Sequence, residues 1–157
     1  MEAIPRSIFS RDFEILENSK KIADIDMSAW RERAEVLIDN TTYNIKKEGF
    51  LNPTFSLVHN GKTLVTASRE MMLRRQFVID IAGARYYLKN KNWLARAMIL
   101  TNDISRVGLI KPRNFFGRGA KVDLPGEIEL PVQVFIVWLV LLLWKRDSNA
   151  AASGSGN

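Results

Sequence analysis

The chain contains no cysteine and only one histidine among its 157 residues. The lack of cysteine excludes a disulfide framework, thiol catalysis and cysteine-based zinc sites, and it fits a reducing compartment. The single histidine, His59, adjoins the dipeptide Asn60-Gly61, where we expect a solvated turn residue. No Ser-His-Asp set is indicated, and no carboxylate spacing favours a metal site. We therefore expect a protein that is not an enzyme and that uses no cofactor.

The sequence also lacks an apolar run long enough to cross a bilayer, which takes about 20 residues. Its most apolar stretch, PVQVFIVWLVLLLW, ends at Trp144 and is followed at once by Lys145 and Arg146. The N-terminus has no apolar core of the kind found in secretory signals. These absences predict a cytoplasmic protein without a transmembrane span.

The same apolar stretch is hydrophobic on every side rather than along one stripe. That pattern is typical of an element surrounded by protein on all sides. Its length favours a helix, since strands usually run about four to eight residues. We predict a buried helix over residues 131–146, in which the indole N–H of Trp138 and the amide of Gln133 need hydrogen-bond partners.

Turn signals recur about every twenty residues along the rest of the chain. Asn60-Gly61 is the strongest, because both residue types tolerate the positive φ of a type I′ hairpin turn. β-branched and aromatic residues flank each signal and predict hairpins, the last of which pairs Val122 and Leu124 with Ile128 and Leu130. The signals are Asn18-Ser19, Asp39-Asn40, Asn60-Gly61, Gly83, Asn102-Asp103 and Pro125-Gly126.

These hairpins predict an all-β fold with one helix. Closing an antiparallel meander into a barrel removes its open edges, and about twelve strands leave a lumen that must be filled. The predicted fold is therefore a closed antiparallel barrel of about twelve strands that encloses the hydrophobic C-terminal helix. The predicted boundaries are an N-terminal arm over 1–10, the barrel with its helix over 11–146, and a flexible tail over 147–157.

A known family has this combination of paired strands and closing apolar segment. The segments PTFSLVHNGKTLVTASRE, RQFVIDIAGARYYLKNK and EIELPVQVFIVWLVLLLWKRD resemble the Tubby C-terminal-like superfamily, which includes Tubby domains, phospholipid scramblases and LURP-one-related proteins. The resemblance implies a barrel around a central helix. By analogy with Tubby domains, it also implies that surface lysine and arginine bind phosphatidylinositol bisphosphate. The chain lacks a palmitoylation cysteine stretch and an acidic calcium loop, which argues against palmitoyl anchoring and calcium-driven lipid scrambling.

Positive charge is concentrated in one part of the chain. Residues 62–121 contain 13 basic and 3 acidic residues, a net charge of +10, whereas the whole chain carries +6. Such a concentration is an electrostatic footprint for polyanions. The candidate anion-binding residues are Arg69, Arg74, Arg75, Arg85, Lys89, Lys91, Arg113, Arg118 and Lys121.

Two connections in this segment combine cations with apolar side chains. In REMMLRRQ, residues Met71, Met72 and Leu73 either cover the barrel mouth or insert at a membrane interface between cations. In KPRNFFGRGAK, Phe115 and Phe116 either fold back over the barrel or act as membrane wedges or base-stacking platforms.

The main functional hypothesis is a non-enzymatic barrel, peripheral to the membrane, that binds anionic phospholipid headgroups of the phosphoinositide kind, with an adaptor role towards a protein partner. The first alternative is a nucleic-acid-binding barrel, in which Tyr86, Tyr87, Phe115 or Phe116 stack on bases. The second is a structural or partner-binding protein whose basic patch is incidental.

Overall fold

The structure is a computed structural model that describes residues 1–7, 10–27, 32–69, 76–92, 96–114 and 118–154. These residues form twelve β-strands and one α-helix, which confirms the predicted all-β fold with a single helix. The strands are β1 (Glu2–Pro5), β2 (Phe13–Glu17), β3 (Lys20–Met27), β4 (Ala34–Ile38), β5 (Thr41–Glu48), β6 (Thr54–His59), β7 (Lys62–Ser68), β8 (Gln76–Ile81), β9 (Ala84–Asn90), β10 (Met98–Thr101), β11 (Arg106–Pro112) and β12 (Ala120–Asp123). Helix α1 spans Leu130–Gly154.

Tight two-residue turns connect four of the strand pairs, as the turn signals predict. Asn60 has φ of 48° and Gly61 has φ of 77°, so both central residues of this turn adopt the left-handed conformation of a type I′ hairpin. Ala82 takes the same conformation with φ of 51°, and the Asp80 carboxylate accepts a hydrogen bond from the Gly83 amide at 3.0 Å. These turns hold consecutive strands in antiparallel register.

Every strand pairs with its neighbours along the chain, and β1 pairs with β12 to close the ring. The closing seam is short, with Glu2 opposite Lys121 and Ala3 opposite Ala120. Closure leaves no unpaired strand edge on the ring. This is the physical reason for which the series of hairpins predicts a barrel. The predicted closed barrel is therefore confirmed.

Helix α1 fills the lumen of the barrel. Val134 through Val140 are buried completely, on all sides of the helix, which explains why the apolar stretch has no polar face. The Trp138 ring packs edge-on against Phe55 of the wall, with 5.3 Å between ring centroids. The wall contributes alternate residues of each strand, whose side chains point inwards while their neighbours face outwards.

Gln133 and Trp138, both predicted to need hydrogen-bond partners, differ in whether they have one. The Gln133 amide donates hydrogen bonds to the carbonyl oxygens of Ile128 at 2.7 Å and Pro125 at 3.3 Å, as expected. The Trp138 indole N–H has no acceptor among the described residues, contrary to expectation. Its ring lies between Phe55 and Phe135, so aromatic packing rather than hydrogen bonding determines its position.

The two ends of the chain differ from the predicted boundaries. Within the predicted arm 1–10, Glu2–Pro5 is strand β1 of the barrel, and no turn signal in the sequence marks it. The predicted flexible tail 147–157 begins inside the helix, which continues to Gly154 through an alanine-rich segment of high helix propensity.

The last predicted hairpin is also corrected. Val122 lies in β12, but Ile128 and Leu130 form no strand, and Leu130 begins the helix. The Glu129 carbonyl accepts the amides of Val132 and Gln133 at 3.0 Å, so the chain turns into the barrel at this point. Strand β1 therefore takes the place in the ring that the sequence assigns to this segment.

Within the described residues, no helix has the length and apolar character needed to cross a membrane.

Candidate functional site

The two ends of the barrel differ in the length of their connections. The turns at residues 18–19, 39–40, 60–61, 82–83 and 102–105 lie at one end, here called the turn mouth. The connections of five or more residues between strands lie at the other end, here called the long-loop mouth, where the C-terminal part of α1 emerges. They span residues 6–12, 28–33, 49–53, 69–75, 91–97 and 113–119. Long connections commonly carry binding residues, so the long-loop mouth is the candidate functional site.

The long-loop mouth brings together four of the nine candidate cations. Arg69 follows β7, Lys91 follows β9, Arg113 follows β11 and Arg118 precedes β12. The Arg118 guanidinium donates a hydrogen bond to the carbonyl of Ser7 at 2.9 Å, which joins two of the long connections.

The other candidates do not all share this location. Arg85 lies opposite Asp80, beside the turn mouth, so it is separated from the others by the length of the barrel. Lys89 and Lys121 project from the outer wall, where Lys121 lies opposite Lys111. Candidates Arg74 and Arg75 lie outside the described residues, as do the apolar residues of both basic connections: Met71, Met72, Leu73, Phe115 and Phe116.

Arginine side chains rest on aromatic rings around this mouth. The guanidinium carbons lie 5.1 Å from the Trp144 ring centroid for Arg96, 5.9 Å from Phe55 for Arg146, and 6.0 Å from Phe77 for Arg69. Such cation–π contacts contribute about 0.5–1 kcal/mol each at exposed sites. They hold positive charge over the end of the apolar core.

Glu32 is the acidic centre of the mouth. Its carboxylate contacts the Arg146 guanidinium at 2.6 Å and the Lys47 ammonium at 2.5 Å. The hydrogen bond from Arg146, assisted by Lys47, outweighs partial burial and lowers the pKa of Glu32 to about 2. Glu32 thus neutralises two cations of this mouth, Arg146 and Lys47.

The mouth also carries two exposed apolar side chains that the sequence analysis missed. Phe50 is 92% exposed and Leu51 is 66% exposed, in the connection between β5 and β6. Among the described residues, the other exposed large apolar side chains are Leu37, on the outer wall, and Ile104, at the turn mouth. The signal available in the sequence was GFLNP, two adjacent bulky apolar residues between turn formers.

His59 and Asp24, which could in principle serve catalysis, make structural contacts instead. The imidazole Nδ1 of His59 lies 3.0 Å from the Thr42 carbonyl oxygen, and the ring contacts Tyr43. Partial burial of Asp24 opposes ionisation, but ion pairs with Arg6 and Lys21 outweigh it and lower its pKa. In the part of the chain that the structure describes, no group of three or more acidic, histidine or cysteine residues is placed to hold a metal ion.

Comparison of the chain with protein-family models, with curated proteins and with solved structures finds no match. The function proposed below therefore depends on the geometry and charge of the long-loop mouth.

Proposed function

We propose that this protein is a non-enzymatic barrel that binds anionic phospholipid headgroups, such as phosphoinositides, at a membrane surface through its long-loop mouth. The observation that carries the proposal is the exposure of Phe50 and Leu51 at the mouth that also collects the cations. The resemblance to Tubby-like barrels implies the same class of ligand.

The apolar pair supports contact with the membrane interior. Phe50 and Leu51 are exposed to water, and transfer of such side chains from water stabilises by about 1.5–3 kcal/mol each when burial is complete. Gly49 holds the start of this connection with φ of 78°, a left-handed conformation that favours glycine. Burial of both side chains in a bilayer interface is therefore a favourable outcome for this connection.

The cations supply selectivity for anionic lipid. Each base near a negatively charged membrane contributes about 1 kcal/mol, and arginine adds bidentate contacts to phosphate. Arg69, Lys91 and Arg118 belong to the same end of the barrel as the apolar pair. Insertion and electrostatic attraction thus act in the same direction on one surface.

Vesicle co-sedimentation tests this proposal. We expect the protein to pellet with phosphatidylcholine vesicles that contain phosphatidylinositol bisphosphate and to remain in the supernatant with phosphatidylcholine alone. The double variant Phe50→Ser/Leu51→Ser should weaken the partition coefficient at least about 100-fold, because it removes about 3 kcal/mol or more of apolar transfer. Its matched control is Ile104→Ser, which removes an equally exposed apolar side chain at the turn mouth and should pellet like the wild type.

Equal pelleting with neutral and anionic vesicles would contradict the proposal, and so would equal losses in the two variants. Binding to a mixed-sequence oligonucleotide but not to anionic vesicles, with an affinity that falls steeply as salt rises, would favour the nucleic-acid alternative. Of the proposed stacking residues, Tyr86 packs against the core, whereas Tyr87 points outwards on β9.

A further inference from the structure

A cavity of about 370 Å³ opens beside the helix at the long-loop mouth. It lies between the last turns of α1, the start of β2 and the end of β3. Its volume falls within the range of ordinary small-molecule sites, which is about 300–1,000 Å³. The described residues that line it are Arg11, Phe13, Met27, Arg96, Arg118, Leu141, Trp144, Lys145, Ser148 and Asn149.

The charged part of the lining has one sign. Four of the described lining residues are cations, namely Arg11, Arg96, Arg118 and Lys145, and none is an acid. Arg11, Arg96 and Lys145 make no ion pair with any carboxylate that the structure describes. The cavity is therefore electropositive.

Two neighbouring acids, Asp12 and Glu32, are held by other groups. Asp12 accepts a hydrogen bond from the Met27 amide at 3.3 Å, and its other oxygen lies 3.4 Å from the Ser10 hydroxyl. Glu32 is held by Arg146 and Lys47. An anion that enters the cavity would therefore meet cations without displacing these carboxylates.

The remainder of the lining is apolar and already in place. Phe13, Met27, Leu141 and Trp144 are buried and belong to the edge of the barrel core. Trp144 is fixed by a hydrogen bond from its indole N–H to the Arg96 carbonyl at 2.8 Å and by the Arg96 guanidinium over its ring. An apolar chain would meet a preformed surface here, so binding would cost little ordering of the protein.

The lowered pKa of Lys145 is consistent with an anion site. Burial and the nearby Arg11 lower the pKa of Lys145, against an opposing effect of the Glu32 carboxylate. A bound anion would counter the repulsion between these two cations.

We propose that this cavity binds one molecule of an anionic amphiphile, whose phosphate or carboxylate lies among the four cations and whose apolar chain lies on Phe13, Met27, Leu141 and Trp144. The inference goes beyond the proposed function, because it depends on the cavity and not on Phe50 or Leu51. It assigns the protein a soluble ligand in addition to a membrane surface.

Isothermal titration calorimetry with octyl phosphate, kept below its micelle-forming concentration, tests this site. We expect saturable binding of one molecule, at least ten-fold tighter than inorganic phosphate and octyl glucoside, because each of these lacks one half of the ligand. Octanoate serves as the carboxylate probe, and the tighter of the two anionic amphiphiles identifies the preferred headgroup. Absence of saturable binding for both amphiphiles would overturn the proposal, as would equal affinity for inorganic phosphate or for octyl glucoside.

Two variants distinguish binding in the cavity from a non-specific effect of the protein's net charge. Arg11→Gln/Lys145→Gln should weaken octyl phosphate binding at least ten-fold, whereas Lys20→Gln/Lys62→Gln removes the same charge at the turn mouth and should bind like the wild type. Ser148→Trp should block the cavity without changing the net charge. Equal weakening in both double variants, or unchanged binding by Ser148→Trp with native circular dichroism, would overturn the site.

The same variants separate the two proposals. Phe50→Ser/Leu51→Ser should keep octyl phosphate binding while losing vesicle binding. Ser148→Trp should lose octyl phosphate binding while keeping vesicle binding. Loss of both activities in Phe50→Ser/Leu51→Ser, with native circular dichroism, would contradict the independence of the cavity.

Discussion

Glu32 links three parts of the long-loop mouth. It lies in the connection between β3 and β4, and its carboxylate contacts Arg146 of the helix and Lys47 of β5. Its backbone φ of 48° is left-handed, a strained conformation for a glutamate. The ion pairs therefore hold Glu32 against the helix where the helix leaves the barrel.

This network predicts a specific pH dependence of stability. The ordinary pKa of this carboxyl is 4.5 and its folded pKa is about 2, so the ionised form stabilises the fold above pH 4.5. That contribution is lost as the pH falls from 4.5 towards 2. We expect Glu32→Gln to lower the free energy of unfolding by about 1–2 kcal/mol at pH 7, the site being partly screened by solvent.

Urea unfolding of the wild type and Glu32→Gln between pH 2 and pH 7 measures this effect. The difference between the two proteins should shrink below pH 4.5. A difference that stays constant down to pH 2 would show that the ion pairs contribute nothing. Asp39→Asn, at an exposed turn, is the control and should follow the wild type.

At the scale of elements, the seam between β1 and β12 depends on a close approach at Gly119. A Cβ atom added there would lie 2.8 Å from the Ala3 carbonyl oxygen, a backbone atom that cannot move without shifting β1. Only two residue pairs form the register of this seam, so the loss of one pair would remove half of that register. Gly119 thus allows the last strand to close the ring.

We expect Gly119→Ala to lower the free energy of unfolding by about 1–3 kcal/mol, because the added methyl group forces the two strands apart. Gly126→Ala is the matched control, since no atom lies within 4 Å of its added Cβ. Chemical denaturation measures both, and hydrogen exchange should show faster exchange at the Val122 amide, which donates to Met1 across the seam. Equal stability of Gly119→Ala and Gly126→Ala would contradict this role.

Elements with strong local signals could be predicted from the sequence, and those defined by long-range pairing could not. The turns at Asn60-Gly61 and Gly83 can be predicted because their residues tolerate positive φ. Strand β1 exists because Ala3 pairs with Ala120 and Ile15, and its four residues carry no such local signal. Ile128 and Leu130 have the spacing of a strand, but no partner strand is left to pair with them.

At the scale of the whole molecule, the apolar helix and the strand wall depend on each other. The barrel of twelve strands needs an occupant, and the helix needs a wall that covers every side. The sequence shows both requirements, since the helix is uniformly apolar and the hairpins are numerous. The helix and the enclosing wall could therefore be predicted together.

The candidate site was less accessible to sequence reasoning. The segment 62–121 holds most of the positive charge, yet its described cations are divided between the long-loop mouth, the outer wall and the turn mouth. Arg11 and Lys145 come from opposite ends of the chain and meet at one cavity only after folding. Charge counting along the chain therefore finds the basic character of the protein but not the surface on which it acts.

The central claim is that the long-loop mouth is the end of the barrel that faces the membrane. Because the chain has no cysteine, Asn52→Cys beside the apolar pair and Asp103→Cys at the turn mouth each accept a single environment-sensitive fluorophore. With vesicles that contain phosphatidylinositol bisphosphate, emission from the label at position 52 should shift to the blue and intensify, while emission from position 103 stays as in water. A shift at position 103 alone, or no shift at position 52 when the protein pellets with the vesicles, would contradict the account.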